Sequence, residues 1–368
     1  MKQEEIKQQS PGPDAGKGRM KKILLITLAV LLAAVLGIVC VWNLLLNRLG
    51  DPEETVETLS QEELDAILGT TVPVETSPED TWPVVVSDEN ITNIMLVGQI
   101  WREDEQNKLS DTMILCSINR ETKTLSMISF LRDLDVPLPA YAGHGPGASR
   151  INTCYALGST WKRSSQGGME MLAKCVEQNF GIPVHHTIEV TFETFTNIID
   201  MMGGVEVDVT QEEADYMTAS VGYVGAIQPG RQILNGNEAL AYARIRAIDG
   251  DRQRTARQRA VITSLLEKCR NMGLMDMLGM AYNIMPFIIT DMEGYEIGNY
   301  VWELLPMIKE LKIQTVTCPV DNELLPGSYW GKDLVLYGYP SSVLQCNTTT
   351  NGAYLRQFIG MAETEEKP

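Results

Sequence analysis

The sequence predicts an α/β protein, an α/β/α sandwich around a mixed central sheet, preceded by one transmembrane helix and a stalk. Three observations carry that expectation. An uncharged apolar run of more than twenty residues stands near the N-terminus; compact apolar runs from Asn93 onwards alternate with helical patterns; and 368 residues with 44% hydrophobic content suffice for a sizeable core.

The run from Ile23 to Leu46, ILLITLAVLLAAVLGIVCVWNLLL, is long enough at 1.5 Å rise to cross about 30 Å of hydrocarbon. Its apolar core exceeds that of a signal peptide, and no small-residue cleavage site follows, so it reads as a retained anchor. Lys17, Arg19, Lys21 and Lys22 precede it, whereas Asp51, Glu53, Glu54 and Glu57 follow. The positive-inside bias therefore assigns 1–22 to a cytoplasmic tail and the rest to the outside of the cell membrane. Residues 47–90 form the stalk, with Pro52, Pro73, Pro78 and Pro83 and one short helix signalled by Ser60 and Glu63.

From Asn93 the texture is globular. NIMLVG is a strand, and TMILCSI and TLSMISF are two more, joined into a hairpin by NRETK. Helical spacing of Met169, Leu172, Val176 and Phe180 predicts a helix from Gly168 to Phe180, ended by Gly181. TIEVTF is a strand, FETFTNIIDMM a crossover helix stopped by Gly203-Gly204, and VEVDVT a further strand of the mixed sheet. AYARIR reads as extended, with Tyr242, Arg244 and Arg246 on one face. A long helix covers 253–271, a Met-rich helical stretch follows to 312, and IQTVTCPV is a late strand. The Met-rich residues read as ordinary core, although adaptable side chains would also suit a long isoprenoid. The globular domain is placed at 91–318, with 319–368 as an extension or tail.

Six cysteines lie outside the membrane segment, so disulfides are permitted but not required, and without C-x2-C spacing a zinc site is not expected. Cys116, inside an apolar strand, reads as a buried hydrophobe. A net charge of −18 opposes general attraction to nucleic acid. Against that background Arg244, Arg246, Arg252, Arg254, Arg257 and Arg259 fall within sixteen positions. Planar guanidinium forks beside a helix start near Asp251 suit an anion, phosphate or pyrophosphate above all; a solvated face on which Asp249 and Asp251 pair with the arginines is the alternative. SFLRDLDV sets Arg132 and Asp133 just after a strand, and LSDTMILC sets Asp111 just before one.

NIMLVG, LSDTMILCSIN, SMISFLRDLDVPLP, RINTCYALG, FETFTNIIDMMGGVEVDV, PGRQILNGNEALAYARIR and the final D-x-x-R-x-x-R-Q, in that order, resemble the LytR-CpsA-Psr family of Gram-positive envelope proteins. The resemblance spans about residue 91 to about 270. It implies an α/β/α phosphotransferase that moves an anionic glycan, such as teichoic acid or capsular polysaccharide, from a polyprenyl pyrophosphate carrier onto peptidoglycan through a phosphodiester. It also implies an apolar pocket for the polyprenyl tail, pyrophosphate ligands at Arg132, Arg244, Arg246, Arg254, Arg257 and Gln258, and Mg2+ held at Asp111. Arg150 stands where members carry Lys or Arg. Arg132, Asp111 and, more weakly, Asp251 are the catalytic candidates, and Asp133 and Asp249 are expected to orient arginines. One departure stands out: members read Gly-x-Asp after the first strand, and here the run is Gly98-Gln99-Ile100. Hard cations prefer carboxylate oxygens, so Ile100 weakens the expected Mg2+ site. A polyprenyl-(pyro)phosphate-binding regulatory protein with little or no turnover and a pyrophosphatase using water as acceptor are the rival functions.

Overall fold

The structure is a computed structural model, and it describes residues 72–73, 83–85, 87–99, 109–141, 147–220, 226–336 and 339–361. The stalk helix, Ile100 and the segment 23–46 lie outside the described residues. Among the described residues no helix is long and apolar enough to cross a membrane.

In chain order, β1 (Val72–Pro73) is followed by β2 (Ile91–Gln99), β3 (Ser110–Asn119), β4 (Thr124–Phe130), β5 (Asp135–Pro137) and β6 (Gly147–Arg150). Helices α1 (Ile151–Lys162) and α2 (Ser165–Phe180), strand β7 (His186–Thr191), helix α3 (Phe192–Met201), strand β8 (Val205–Val209) and helix α4 (Gln211–Ser220) come next. Then follow β9 (Gly230–Leu234), α5 (Gly236–Arg244), α6 (Asp251–Asn271), α7 (Leu274–Ile284), β10 (Ile289–Thr290), α8 (Gly294–Leu304), β11 (Lys312–Cys318), β12 (Tyr329–Leu336), β13 (Tyr339–Gln345) and α9 (Thr348–Phe358).

Six strands form the central sheet in the order β10-β7-β2-β3-β4-β11. It is mixed: β2 pairs parallel with β7 and β4 with β11, whereas β2-β3, β3-β4 and β10-β7 are antiparallel. Because side chains alternate along each strand, Met95, Met113 and Ile128 face one way and Leu96, Ile114 and Met127 the other. The first set packs with Tyr155, Leu172 and Phe180 of α1 and α2 and with Leu355 of α9. The second meets Ile262 and Leu266 of α6 and Leu304 of α8. That is the expected sandwich of helices on both faces of a mixed sheet. Residues 348–361, in the expected C-terminal extension, bring Leu355, Ile359 and Met361 into the first of these cores.

Among the described residues the expected elements are present with two exceptions. VEVDVT forms β8, but instead of entering the central sheet it pairs antiparallel with β9, Val205 opposite Leu234. The two neighbours of β7 are already β2 and β10, so the crossover strand has no open edge there. AYARIR is not extended. Asn235 and Glu238 form a reciprocal capping box, and from that start α5 runs through Arg244. Alanine at 239, 241 and 243 favours a helix, and the alternation with Tyr242 and Arg244 was a coincidence of period two.

The α1–α2 hairpin depends on close backbone approach. Ser164 caps α2 by accepting from Gly167 N at 3.1 Å, and Gly181 ends it at φ 64. A Cβ on Gly158 would lie 2.1 Å from the Gly167 carbonyl oxygen. Gly158→Ala is therefore expected to lower stability by about 1–3 kcal/mol, read as a lower urea midpoint by circular dichroism; an unchanged midpoint would contradict this packing.

Candidate functional site

The site is assembled from three chain segments that the sheet and α6 bring together. The C-terminal end of β4 delivers Arg132 and Asp133, the start of β3 delivers Asp111, and the α5–α6 junction delivers Arg244, Arg246, Asp251 and Arg254. Arg244 and Arg246 reach the same space because a helix ends there and the chain turns, not because a strand aims them.

Six contacts close these residues into a circuit of alternating charge. Arg132 Nη1 donates to Asp111 Oδ1 at 3.0 Å, and its Nε lies 3.7 Å from Asp133. Asp133 also takes Arg246 Nη2 at 3.2 Å, and Arg246 Nε lies 3.7 Å from Asp251. Arg254 Nη2 lies 2.7 Å from Asp251 Oδ1 and donates at 3.0 Å to the Asp111 backbone carbonyl. Arg150 adds a third cation to Asp133 at 3.3 Å. With Arg244 included, five arginines face three aspartates, so the cluster holds two positive charges in excess inside a chain of net −18. Such a surplus, walled by protein, attracts a compact anion.

The ionisation states follow the same geometry. Burial works against the Arg132 guanidinium, but Asp133 and Asp111 outweigh it and hold its pKa above the ordinary value. Burial pushes the Asp251 carboxyl up, partly offset by Arg254 and Arg132, and pushes Arg254 down, partly offset by Asp251 and Asp111. Both Asp251 oxygens are enclosed without a hydrogen bond of good geometry from the described residues, even though Arg254 stands close. Asp251 thus orients arginines from behind, with no oxygen presented to a ligand.

Arg132, Arg244, Arg246, Arg254, Asp111 and Gln258 line one cavity of about 670 Å³. Its other walls are apolar: Leu96 and Ile114 from the sheet, Phe195 and Ile198 from α3, and Leu265 and Leu266 from α6. One cavity therefore joins a cationic end to a long apolar body. None of the Met-rich α7 residues lines it. Arg244 stacks on Phe192, its guanidinium carbon 4.6 Å from the ring centre, and no carboxylate of the described residues pairs with it.

Arg257 departs from expectation. It is buried and does not line the cavity; Nε binds Glu213 at 2.6 Å, Nη1 donates to Asp249 and to the Ile245 carbonyl, and Nη2 donates to Asp249. Burial alone would depress its pKa, but Asp249 and Glu213 raise it above the ordinary value. It braces the α5–α6 turn against α4. Sequence reading missed Glu213, whose Thr210-x-x-Glu213 spacing is a capping signal, and missed Phe192, which carries no signal beyond its place after a strand.

Two substitutions separate the roles. Arg257→Gln leaves Glu213 and Asp249 without their buried partner and is expected to cost roughly 3–5 kcal/mol of stability. Arg244→Ala removes an exposed side chain with no ion pair among the described residues and is expected to leave the thermal midpoint within a degree or two. Differential scanning calorimetry of both variants reads the contrast; equal losses would show that Arg244 is structural.

The LytR_cpsA_psr family model matches residues 57–336. Among curated relatives, the polyisoprenyl-teichoic acid–peptidoglycan teichoic acid transferase TagT of Bacillus subtilis (strain 168) is 27% identical over 261 residues, 63% of this chain and 76% of the relative. The corresponding TagU of Bacillus licheniformis is 30% identical over 254 residues, 68% of this chain and 75% of the relative. Among solved structures, TagT bound to LIIa-WTA has a TM-score of 0.56 at 23% identity, covering 79% of this chain and 95% of that one. The family protein YwtF (TagT) with bound octaprenyl pyrophosphate lipid has a TM-score of 0.54 at 21% identity, covering 79% and 100%. With the mixed sheet, the arginine cluster and a family match over most of its length, this chain belongs to the LytR_cpsA_psr family.

Proposed function

We propose that this protein is a membrane-anchored phosphotransferase that moves an anionic glycan from a polyprenyl pyrophosphate carrier to peptidoglycan, forming a phosphodiester. The observation that carries the reading is the single cavity with arginines at one end and apolar side chains along the rest, the shape and polarity of a pyrophosphate joined to an isoprenoid tail. The names of the relatives, teichoic acid transferases, and the octaprenyl pyrophosphate of one solved relative support it. The segment 23–46 anchors the protein, with the catalytic domain on the outer face.

In this reaction the acceptor hydroxyl oxygen attacks the phosphorus that carries the glycan. The bond from that phosphorus to the bridging oxygen breaks, and polyprenyl phosphate leaves with the electron pair. Negative charge grows on the bridging and equatorial oxygens, where Arg132, Arg244, Arg246 and Arg254 stand pre-positioned. Gln258 completes the wall beside them. Its amide nitrogen lies 3.4 Å from the Ala243 carbonyl, and its buried amide oxygen has no hydrogen-bond partner among the described residues. Asp111 is the cavity-facing carboxylate, and no described residue donates to its second oxygen. It takes the hydroxyl proton or holds a divalent cation.

Mg2+ commonly sits on one or two carboxylates together with substrate phosphates, and Asp111 facing the arginines fits that arrangement. Among the described residues no group of three or more His, Cys, Asp or Glu gathers around a metal position. When bound, Mg2+ would supply charge neutralisation at the phosphates.

Arg244→Ala and Arg246→Ala are each expected to weaken polyprenyl pyrophosphate binding at least tenfold in calorimetric titration of the full chain in detergent; wild-type affinity in both would end the proposal. Cys269 lines the apolar body of the cavity, and burial raises its thiol pKa. Its alkylation should be slow at pH 8 and slower still with polyprenyl pyrophosphate, while inorganic pyrophosphate leaves it unchanged. Equal protection by both ligands would place the tail elsewhere.

A further inference from the structure

Helix α6 presents a second face to a second cavity. Of about 660 Å³, this cavity lies between α6, the β8–β9 ribbon and Thr315 of the edge strand β11, with Ala256, Arg259, Ala260 and Thr263 along its α6 wall. Arg259 is only 8% exposed. Its Nη1 donates to Ser129 Oγ at 2.6 Å, to Thr317 Oγ1 at 3.1 Å and, more weakly, to Thr255 Oγ1 at 3.5 Å. All three partners are neutral, and no carboxylate of the described residues stands within ion-pair distance.

A buried guanidinium held only by hydroxyls is an unbalanced charge, since burial of an ion normally requires an opposite one. The other charges around the cavity are largely committed. Glu206 is bound bidentately by Arg231, Glu267 pairs with Arg270, and Lys268 donates to the carbonyls of Met202 and Gly203 at the end of α3. Asp208 is exposed on the ribbon. Ser264 Oγ accepts from Glu206 N at 2.8 Å, which leaves its hydroxyl hydrogen for a further acceptor. Burial and the neighbouring Arg252 push Arg259 down to about 10, still cationic at neutral pH.

We propose that this cavity is a second anion-binding site, in which Arg259 receives a phosphoryl or carboxylate group. Arg259 is five residues from Arg254, about 7.5 Å along the helix axis, and it opens on the opposite side of α6 from the arginine cluster. The group could be a phosphate of a polyanionic glycan or a carboxylate of its acceptor; the chemistry recognised is the same. The inference does not depend on what fills the first cavity.

The test uses the full chain in detergent, with Arg244→Ala and Arg246→Ala combined so that the first cluster no longer dominates. Inorganic phosphate and, separately, acetate are titrated calorimetrically. One saturable site should remain, and adding Arg259→Gln should weaken it at least tenfold. Ala260→Leu, which fills the cavity without touching the hydroxyl partners of Arg259, should do the same and guards against a folding defect in the first variant. A remaining site selective for phosphate points to the glycan as source, and one that takes acetate as well points to the acceptor. No residual site, or affinity unchanged by Arg259→Gln or by Ala260→Leu, overturns the inference, and loss of polyprenyl pyrophosphate binding in the cluster variants remains a separate result.

Discussion

The arrangement rests on a closed circuit of alternating charge through Arg132, Asp133, Arg246, Asp251, Arg254 and Asp111. Four arginines gathered about one cavity repel one another, and in a low-dielectric setting that repulsion would scatter them. Aspartates interleaved between them hold each guanidinium in place while leaving the cluster net positive. The circuit also joins parts of the chain more than a hundred residues apart, so the orientation of α6 against the sheet and the geometry of the cationic end are one constraint.

Helix α6 is where fold and site meet. One side carries Val261, Ile262, Leu265 and Leu266 toward the sheet and the apolar cavity, and its first turns carry Arg254 and Gln258 to the polar end. Arg257 reaches back to Asp249 and Glu213 and fixes the turn that presents Arg244 and Arg246. Arg259 ties the helix to β4 and β11 through Ser129 and Thr317. Arginines that look equivalent along the sequence thus divide by angle around one helix, because 3.6 residues per turn points 254 into the first cavity, 257 to the α5–α6 turn and 259 to the opposite side.

Much of this was legible beforehand. Strands β2, β3 and β4 announced themselves as short apolar runs around a polar turn, and α2 through its periodicity and Gly181. The co-location of Arg132, Asp111 and the later arginines was implied by family resemblance; composition alone carried no such information. The α5 helix was misread because alanine is small enough to satisfy either period, and only the Asn235–Glu238 box distinguishes them. The place of β8 was misread because sheet membership depends on which edges other strands already occupy.

By itself the sequence determined most of the local elements, the surplus of guanidinium in one stretch and the anchor-like run at 23–46, since propensity, period and charge are properties of neighbouring residues. Only the tertiary structure decided which arginines line the cavity. Arg244 is exposed over Phe192 while Arg257 is enclosed by Glu213 and Asp249, and that difference arises from packing between α3, α4, α5 and α6. Burial and pairing are relations among distant segments, and they exist only once the chain has folded.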